Sequence, residues 1–147
     1  MSGVPIVPPL AALALFAVWA MVLVLSIGIW RVGQTITRQK RANDFPGGVQ
    51  HGSDAYWRLN RAHVNTVENL PIFGALVLSG VVLQVQDLAF QLLPSLVLYA
   101  RIAQSLIHVA SGSIMAVTLR FSAYVVQVVS MFVMAYFVLS ATGVPLP

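Results

Sequence analysis

The chain has 147 residues, a net charge of +4 and no cysteine, and 59% of its residues are hydrophobic whereas only 8% are charged. Soluble domains carry about 25% charged residues, so this composition is typical of a membrane protein. The absence of cysteine excludes disulfides, thiolate metal sites and a cysteine nucleophile. Because most basic residues lie in one short segment between apolar runs, the positive charge indicates membrane topology and not nucleic-acid binding.

Four apolar runs are long enough to cross a bilayer. A helix needs about 20 residues to span roughly 30 Å of hydrocarbon, so the pattern predicts four transmembrane helices. Their approximate ranges are 9–36, 57–84, 88–110 and 117–141. The predicted fold is an all-α four-helix membrane bundle forming one integral membrane domain over residues 1–147. The first run lacks a basic start and is longer than the apolar part of a signal peptide, so we predict that it is retained.

The first loop, at about 37–56, predicts the orientation of the bundle. Six arginines and lysines lie between residues 31 and 61, whereas the turn between the second and third helices offers only Asp87. The positive-inside rule therefore predicts a cytoplasmic first loop and both termini outside. The basic inner loop and the short termini favour a bacterial inner membrane.

Three of the predicted helices carry a stripe of polar residues. In the second helix Arg61, Asn65 and Glu68 are spaced i, i+4 and i+7, which at about 100° per residue puts them on one face. Similar spacing joins two further sets: Arg101, Gln104 and His108, and Arg120, Tyr124 and Gln127. The predicted topology puts every stripe in the cytoplasmic half, so we expect a converging polar pocket there.

Several members of these stripes have simpler explanations. Arg61 and Arg120 lie near predicted helix ends, where arginine commonly reaches the lipid headgroups. The amides of Asn65, Gln104 and Gln127 are also compatible with hydrogen bonds between helices. Both explanations stay open for the residues taken singly.

Glu68 and Arg101 are harder to explain in this way, because neither is close to a helix end. An ionisable group near the centre of a membrane helix costs about 2.5 to 3.5 kcal/mol and by default indicates function. We expect Glu68 to pair with Arg101 or Arg120, which would offset the desolvation of both partners. The three histidines have no spacing typical of a metal site, so we predict no metal.

The run RAHVNTVENLPIF at residues 61–73 resembles the signature of the MAPEG family, the membrane-associated proteins of eicosanoid and glutathione metabolism. The chain length, the four helices, the basic first loop and an R-x-x-x-Y start to the fourth helix match in the same order. The likeness covers the whole chain and is closest to a bacterial member similar to microsomal glutathione transferases. It implies a left-handed four-helix bundle assembled as a homotrimer, with glutathione between neighbouring subunits near the cytoplasmic side.

The resemblance also implies roles for residues that match the motif. Asn65 and Glu68 match the glutathione contacts of the second helix, and Arg61 matches the arginine that supports them. Arg120 resembles the arginine that stabilises the glutathione thiolate, and Tyr124 resembles the tyrosine one turn further on. Arg120 and Tyr124 are thus the predicted catalytic residues.

The remaining stripe residues complete the predicted glutathione site: Arg101, Gln104, His108 and Gln127. Gln127 is one residue out of register with a family glutamine. Val64, Gln104 and His108 replace an arginine, a histidine and a tyrosine of the prostaglandin E synthase branch, and Phe121 replaces a hydroxyl residue. These departures argue against a prostaglandin synthase.

The predicted function is a membrane glutathione transferase or peroxidase of detoxification. Glutathione is the co-substrate, and its thiolate attacks a lipophilic small molecule or a lipid hydroperoxide dissolved in the membrane lipid. Arginines suit the carboxylates of glutathione, and a glutamate suits its amine. One alternative is a non-catalytic lipid-binding or scaffold member of the family. Another is a small proton-coupled transporter using Glu68, although the outer halves of the helices are almost wholly apolar.

Overall fold

Residues 8–143, which the computed structural model describes, form four long α-helices. The helices are α1 (Pro9–Ile36), α2 (Asp54–Val82), α3 (Leu88–Ala110) and α4 (Ile114–Ala141). Each of them is long and apolar enough to cross a membrane. This confirms the predicted all-α class with four candidate spans.

Serine caps determine where α2 and α4 begin. The Ser53 hydroxyl accepts the backbone N–H of Tyr56 at 3.2 Å, and the Ser113 hydroxyl accepts that of Ala116 at 3.2 Å. Each cap satisfies a donor that the first helical turn leaves unpaired, so both helices begin three residues before their predicted starts. The loop before α2 is correspondingly shorter, at 37–53. At the other end of α2 the chain leaves the helix near Gln84, whose φ is 54°, and α2 ends two residues before the predicted boundary.

The α2–α3 pair forms the centre of the bundle. Helices α1 and α4 each pack against both α2 and α3, and within the described residues they do not contact each other. Phe16 of α1 and Phe73 of α2 meet in the core with ring centroids 5.1 Å apart. A Cβ atom at Gly80 of α2 would overlap the ring of Phe90 of α3, so this helix crossing requires glycine.

The antiparallel order gives the bundle two unlike ends. The C-termini of α1 and α3 and the N-termini of α2 and α4 meet at what we call the basic end, which carries Arg31, Arg58, Arg61 and Arg120. The opposite end, with the 83–87 turn, is the far end. Large apolar side chains such as Met21 and Phe132 point outward and are 59% and 73% exposed, as expected for surfaces that face lipid.

Candidate functional site

A cavity of about 480 Å³ lies at the basic end between α2, α3 and α4. Binding sites for small molecules usually have volumes of about 300 to 1,000 Å³. Eight of the nine predicted site residues line this polar cavity: Arg61, Asn65, Glu68, Arg101, Gln104, His108, Arg120 and Tyr124. The three stripes therefore face one another across a single space.

Helix α2 supplies one wall of the polar cavity. Thr66, on its opposite face, is fully buried, which turns Asn65 and Glu68 toward the cavity. Two turns before Asn65, Arg58 donates from Nε to the carbonyl oxygen of Val109 at 3.2 Å. This hydrogen bond joins the start of α2 to the end of α3 beside the cavity.

Arg101 contributes a deeply buried cation to the wall formed by α3. It is 1% exposed, and its guanidinium carbon lies 5.8 Å from the centroid of the Phe16 ring. Its Nε and Nη2 atoms are buried without a hydrogen-bond partner, so these nitrogens do not form the expected pair with Glu68. A buried guanidinium of this kind is destabilising unless an anion approaches it.

Gln127 lies behind the polar cavity and does not line it. Its side chain is fully buried, and its Nε2 donates to Gln104 Oε1 at 3.0 Å and to the carbonyl oxygen of Ala123 at 2.9 Å. The amide thus connects α4 to α3 and holds Gln104 from behind. The resemblance implied a glutathione contact at Gln127, whereas its position here is that of a support, because its inward-facing register directs the amide to α3.

His108 and Arg120 are in direct contact across the short turn between α3 and α4. Arg120 Nη1 is hydrogen-bonded to His108 Nδ1 and lies 3.4 Å from His108 Nε2. Both side chains are half-buried and line the polar cavity. Within residues 8–143 no group of three His, Asp or Glu side chains is close enough to hold a metal ion.

A second cavity, of about 430 Å³, continues from the first between α2 and α4. We call it the apolar groove; its lining residues are Asn69, Ile72, Leu76, Tyr124, Val128, Met131, Phe132 and Ala135. Asn69 and Tyr124 line both spaces, so the polar cavity and the apolar groove meet at these two residues. Tyr124 is 43% exposed at this junction.

Three residues of the polar cavity were not among the predicted site residues: Asn69, Val117 and Phe121. Asn69 had a detectable signal, because a polar side chain next to Glu68 falls at the edge of the same helical stripe. Val117 had none, since nothing in the sequence distinguishes it from a residue that faces lipid.

Residues of the first loop pack against the basic end. Trp30 and Tyr56 stack with ring centroids 3.7 Å apart, and Phe45 meets Trp30 edge-on at 6.3 Å. Arg31 donates from Nε to the Tyr56 hydroxyl at 2.8 Å, and its guanidinium lies over Phe45. Gly52, with φ of +77°, allows the chain to pass close to Trp30. Arg31 is therefore held at the edge of the bundle and does not line the polar cavity of its own chain.

Comparison with known protein families gives a match to the MAPEG family. The model of this family matches residues 9–140, which covers α1 to α3, the first loop and all but the last residue of α4. No match is found among curated proteins.

Proposed function

The chain belongs to the MAPEG family of multi-pass integral membrane proteins, and on that premise we propose that it is a glutathione transferase or peroxidase. The family includes both activities. In this proposal the protein binds glutathione in the polar cavity and activates its thiolate. A lipophilic electrophile or lipid hydroperoxide occupies the apolar groove.

The charge of the polar cavity is the observation that carries this proposal. Three arginines and one glutamate line the cavity, which gives an excess of two positive charges. His108 is not counted, because it accepts a hydrogen bond from Arg120. Glutathione has two carboxylates, one ammonium group and a thiol, so its thiolate form has a net charge of about −2. This charge matches the excess of two cations in the cavity, whereas the thiol form would leave one cation unbalanced.

Each type of side chain in the cavity has a partner on glutathione. Arginines bind carboxylates through paired N–H groups, which suits Arg61 and Arg101, and Glu68 suits the ammonium group. Arg120 beside the sulfur favours the thiolate, which is the reactive form. Tyr124, at the junction with the apolar groove, donates a hydrogen bond to the sulfur or to the charge that develops on the acceptor.

The chemistry then takes place where the two cavities meet. With an electrophilic carbon, the sulfur lone pair forms the S–C bond and the leaving group departs with its bonding electrons. With a hydroperoxide, the sulfur attacks the terminal oxygen and the O–O bond breaks. The lipid leaves as an alcohol after protonation, and a second glutathione converts the resulting sulfenic acid to the disulfide and water.

We further propose a homotrimer with the basic end toward the cytoplasm of a bacterial inner membrane. The exposure of Arg61 and Glu68 within one chain supports a neighbouring subunit that covers them. The basic loop supports the orientation through the positive-inside rule. The predicted outside termini fall in residues 1–7 and 144–147, beyond the described part of the chain.

Glutathione binding to the purified protein in detergent tests the proposal. Calorimetry gives the affinity, and ultraviolet absorbance near 240 nm reports the bound thiolate. We expect binding with thiolate absorbance that is lost in Arg120→Ala and kept in Arg41→Ala. Arg41 is a matched control because it is exposed in the first loop and lines neither cavity.

The apolar groove favours a second candidate, a non-catalytic lipid-binding protein. Its lining could hold an acyl chain without glutathione. Absence of binding at millimolar glutathione would support this candidate and contradict the first. The transporter alternative has less support, because the charged groups that line the cavities within residues 8–143 gather at the basic end.

A further inference from the structure

The contact between His108 and Arg120 defines a role for the histidine that differs from ligand binding. The two residues are twelve positions apart and meet across the turn that joins α3 to α4. Within residues 8–143, the Arg120 side chain makes its hydrogen bonds to this imidazole. His108 thus contributes to the polar cavity mainly through the arginine that it touches.

The chemistry of the pair fixes which group donates. A guanidinium has five N–H donors and no lone pair to accept with, and it stays protonated in proteins. The imidazole nitrogen that contacts Arg120 Nη1 must therefore be the acceptor. His108 is then neutral, with its proton on Nε2, and Nε and Nη2 of Arg120 remain available to a ligand.

We propose that His108 is a positioning residue that holds the Arg120 guanidinium beside the glutathione sulfur, an inference that rests on the proposed function. An arginine has four side-chain torsions and loses much freedom when it is fixed in one place. One acceptor on the neighbouring helix restricts that freedom before the ligand arrives. Because His108 is neutral, it does so without cancelling the charge that stabilises the thiolate.

The surroundings of His108 keep it in this place. Arg58 binds the carbonyl oxygen of Val109, the next residue in α3, at 3.2 Å. Ser113 caps α4 through Ala116 and fixes the start of the helix that carries Arg120. Both partners of the contact are thus attached to rigid elements, which a positioning role requires.

Two substitutions test whether His108 acts as a hydrogen-bond acceptor or only fills space. His108→Asn places an amide oxygen near the position of Nδ1, whereas His108→Leu keeps an apolar volume and removes the acceptor. At saturating glutathione we expect His108→Leu to lower the bound-thiolate absorbance about fivefold and to change Kd less than about threefold. We expect His108→Asn to retain more than about half of the absorbance.

The same substitutions in Arg120→Ala test whether His108 acts through the arginine. Because the thiolate absorbance is already lost in Arg120→Ala, the readout in that background is the glutathione Kd, which we expect His108→Leu to leave unchanged. A normal thiolate signal in His108→Leu alone, an equal loss of that signal in His108→Asn, or a further loss of glutathione affinity in the double variant would each overturn the inference. A tenfold or greater rise in Kd with both His108 variants would instead make His108 a direct ligand and would also overturn it.

A measurement without glutathione separates this inference from the proposed function. The melting temperatures of the wild type, His108→Leu, Arg120→Ala and the double variant form a cycle in detergent. We expect clearly non-additive shifts because the two side chains are in contact. If glutathione does not bind but the melting-temperature shifts are non-additive, the proposed function is contradicted and the contact between His108 and Arg120 is supported. If the shifts are additive, the positioning role itself is contradicted.

Discussion

The two ends of the bundle differ in how closely their helices pack. At the far end, α2 and α3 approach so closely that Gly80 lies against the Phe90 ring. At the basic end α2 and α3 enclose a cavity together with α4, and polar atoms of Arg101 on α3 and Gln127 on α4 are buried without partners. Buried polar groups without partners reduce stability, and close packing increases it.

This contrast separates the end at which the bundle gains stability from the end at which the proposed site lies. The far end supports the arrangement of the helices, so the basic end can retain charge that a purely structural core would exclude. Strained or unsatisfied groups in natural proteins concentrate at functional sites for this reason. The contrast predicts that substitutions at the basic end change activity more than stability, and that substitutions at the far end do the reverse.

The largest effect is expected for Arg120→Ala. Loss of a positioned cation beside the developing or reacting charge typically lowers kcat by about 100-fold or more. Because we propose that the carboxylates of glutathione bind to other arginines of the cavity, its Kd should change less than about threefold. Turnover of a lipophilic electrophile with Arg41→Ala as control is the measurement. Equal losses in kcat and affinity would make Arg120 an anchor for glutathione and not its activator.

Gly80→Val should destabilise the helix packing at the far end. The added side chain overlaps the Phe90 ring, and overpacking of this kind costs about 1 to 3 kcal/mol of unfolding free energy. Gly28→Ala is the matched control, since a Cβ at Gly28 meets nothing within 4 Å and alanine is the better helix former. Thermal unfolding in detergent should show a fall for Gly80→Val only, with glutathione affinity unchanged below the melting transition. A parallel loss of affinity would mean that the two ends are coupled.

Arg101→Met should have the opposite effect at the basic end. The substitution removes a buried charge whose Nε and Nη2 lack partners, so the stability of the ligand-free protein should rise by about 1 to 2 kcal/mol. Its stabilisation by glutathione should fall, because an anion can no longer offset that charge. Melting curves with and without glutathione measure both changes. A less stable ligand-free variant would show that Arg101 already has compensation within the protein.

The sequence was sufficient to predict the spans and the convergence of the stripes, because apolar runs and i, i+4, i+7 spacing report helix length and helix face directly. The predicted starts of α2 and α4 were less accurate. Ser53 and Ser113 lie outside the apolar runs, so hydropathy places the helix starts too late, although the serines themselves are typical caps.

The sequence alone could not predict which side chains of different helices contact each other. Periodicity shows that His108 and Arg120 each face inward, but which side chain meets which depends on helix rotation and depth within the bundle. The expected pairing of Glu68 with Arg101 was reasonable from charge alone. The structure instead leaves Arg101 Nε and Nη2 unpaired, because sharing a cavity does not bring two side chains into contact.

The smallest effect expected is that of Gln127→Leu, which tests the position of this amide behind the cavity. Its hydrogen bond to Gln104 joins α4 to α3, and such bonds within membrane bundles contribute about 0.6 kcal/mol on average. We expect a loss of stability of about that size, non-additive with Gln104→Leu, and a change in glutathione Kd of less than about twofold. Calorimetry and thermal unfolding of the two single variants and the double variant measure these quantities. A tenfold loss of affinity in Gln127→Leu with additive stability changes would mean that Gln127 turns toward the ligand, and that the basic end rearranges when glutathione binds.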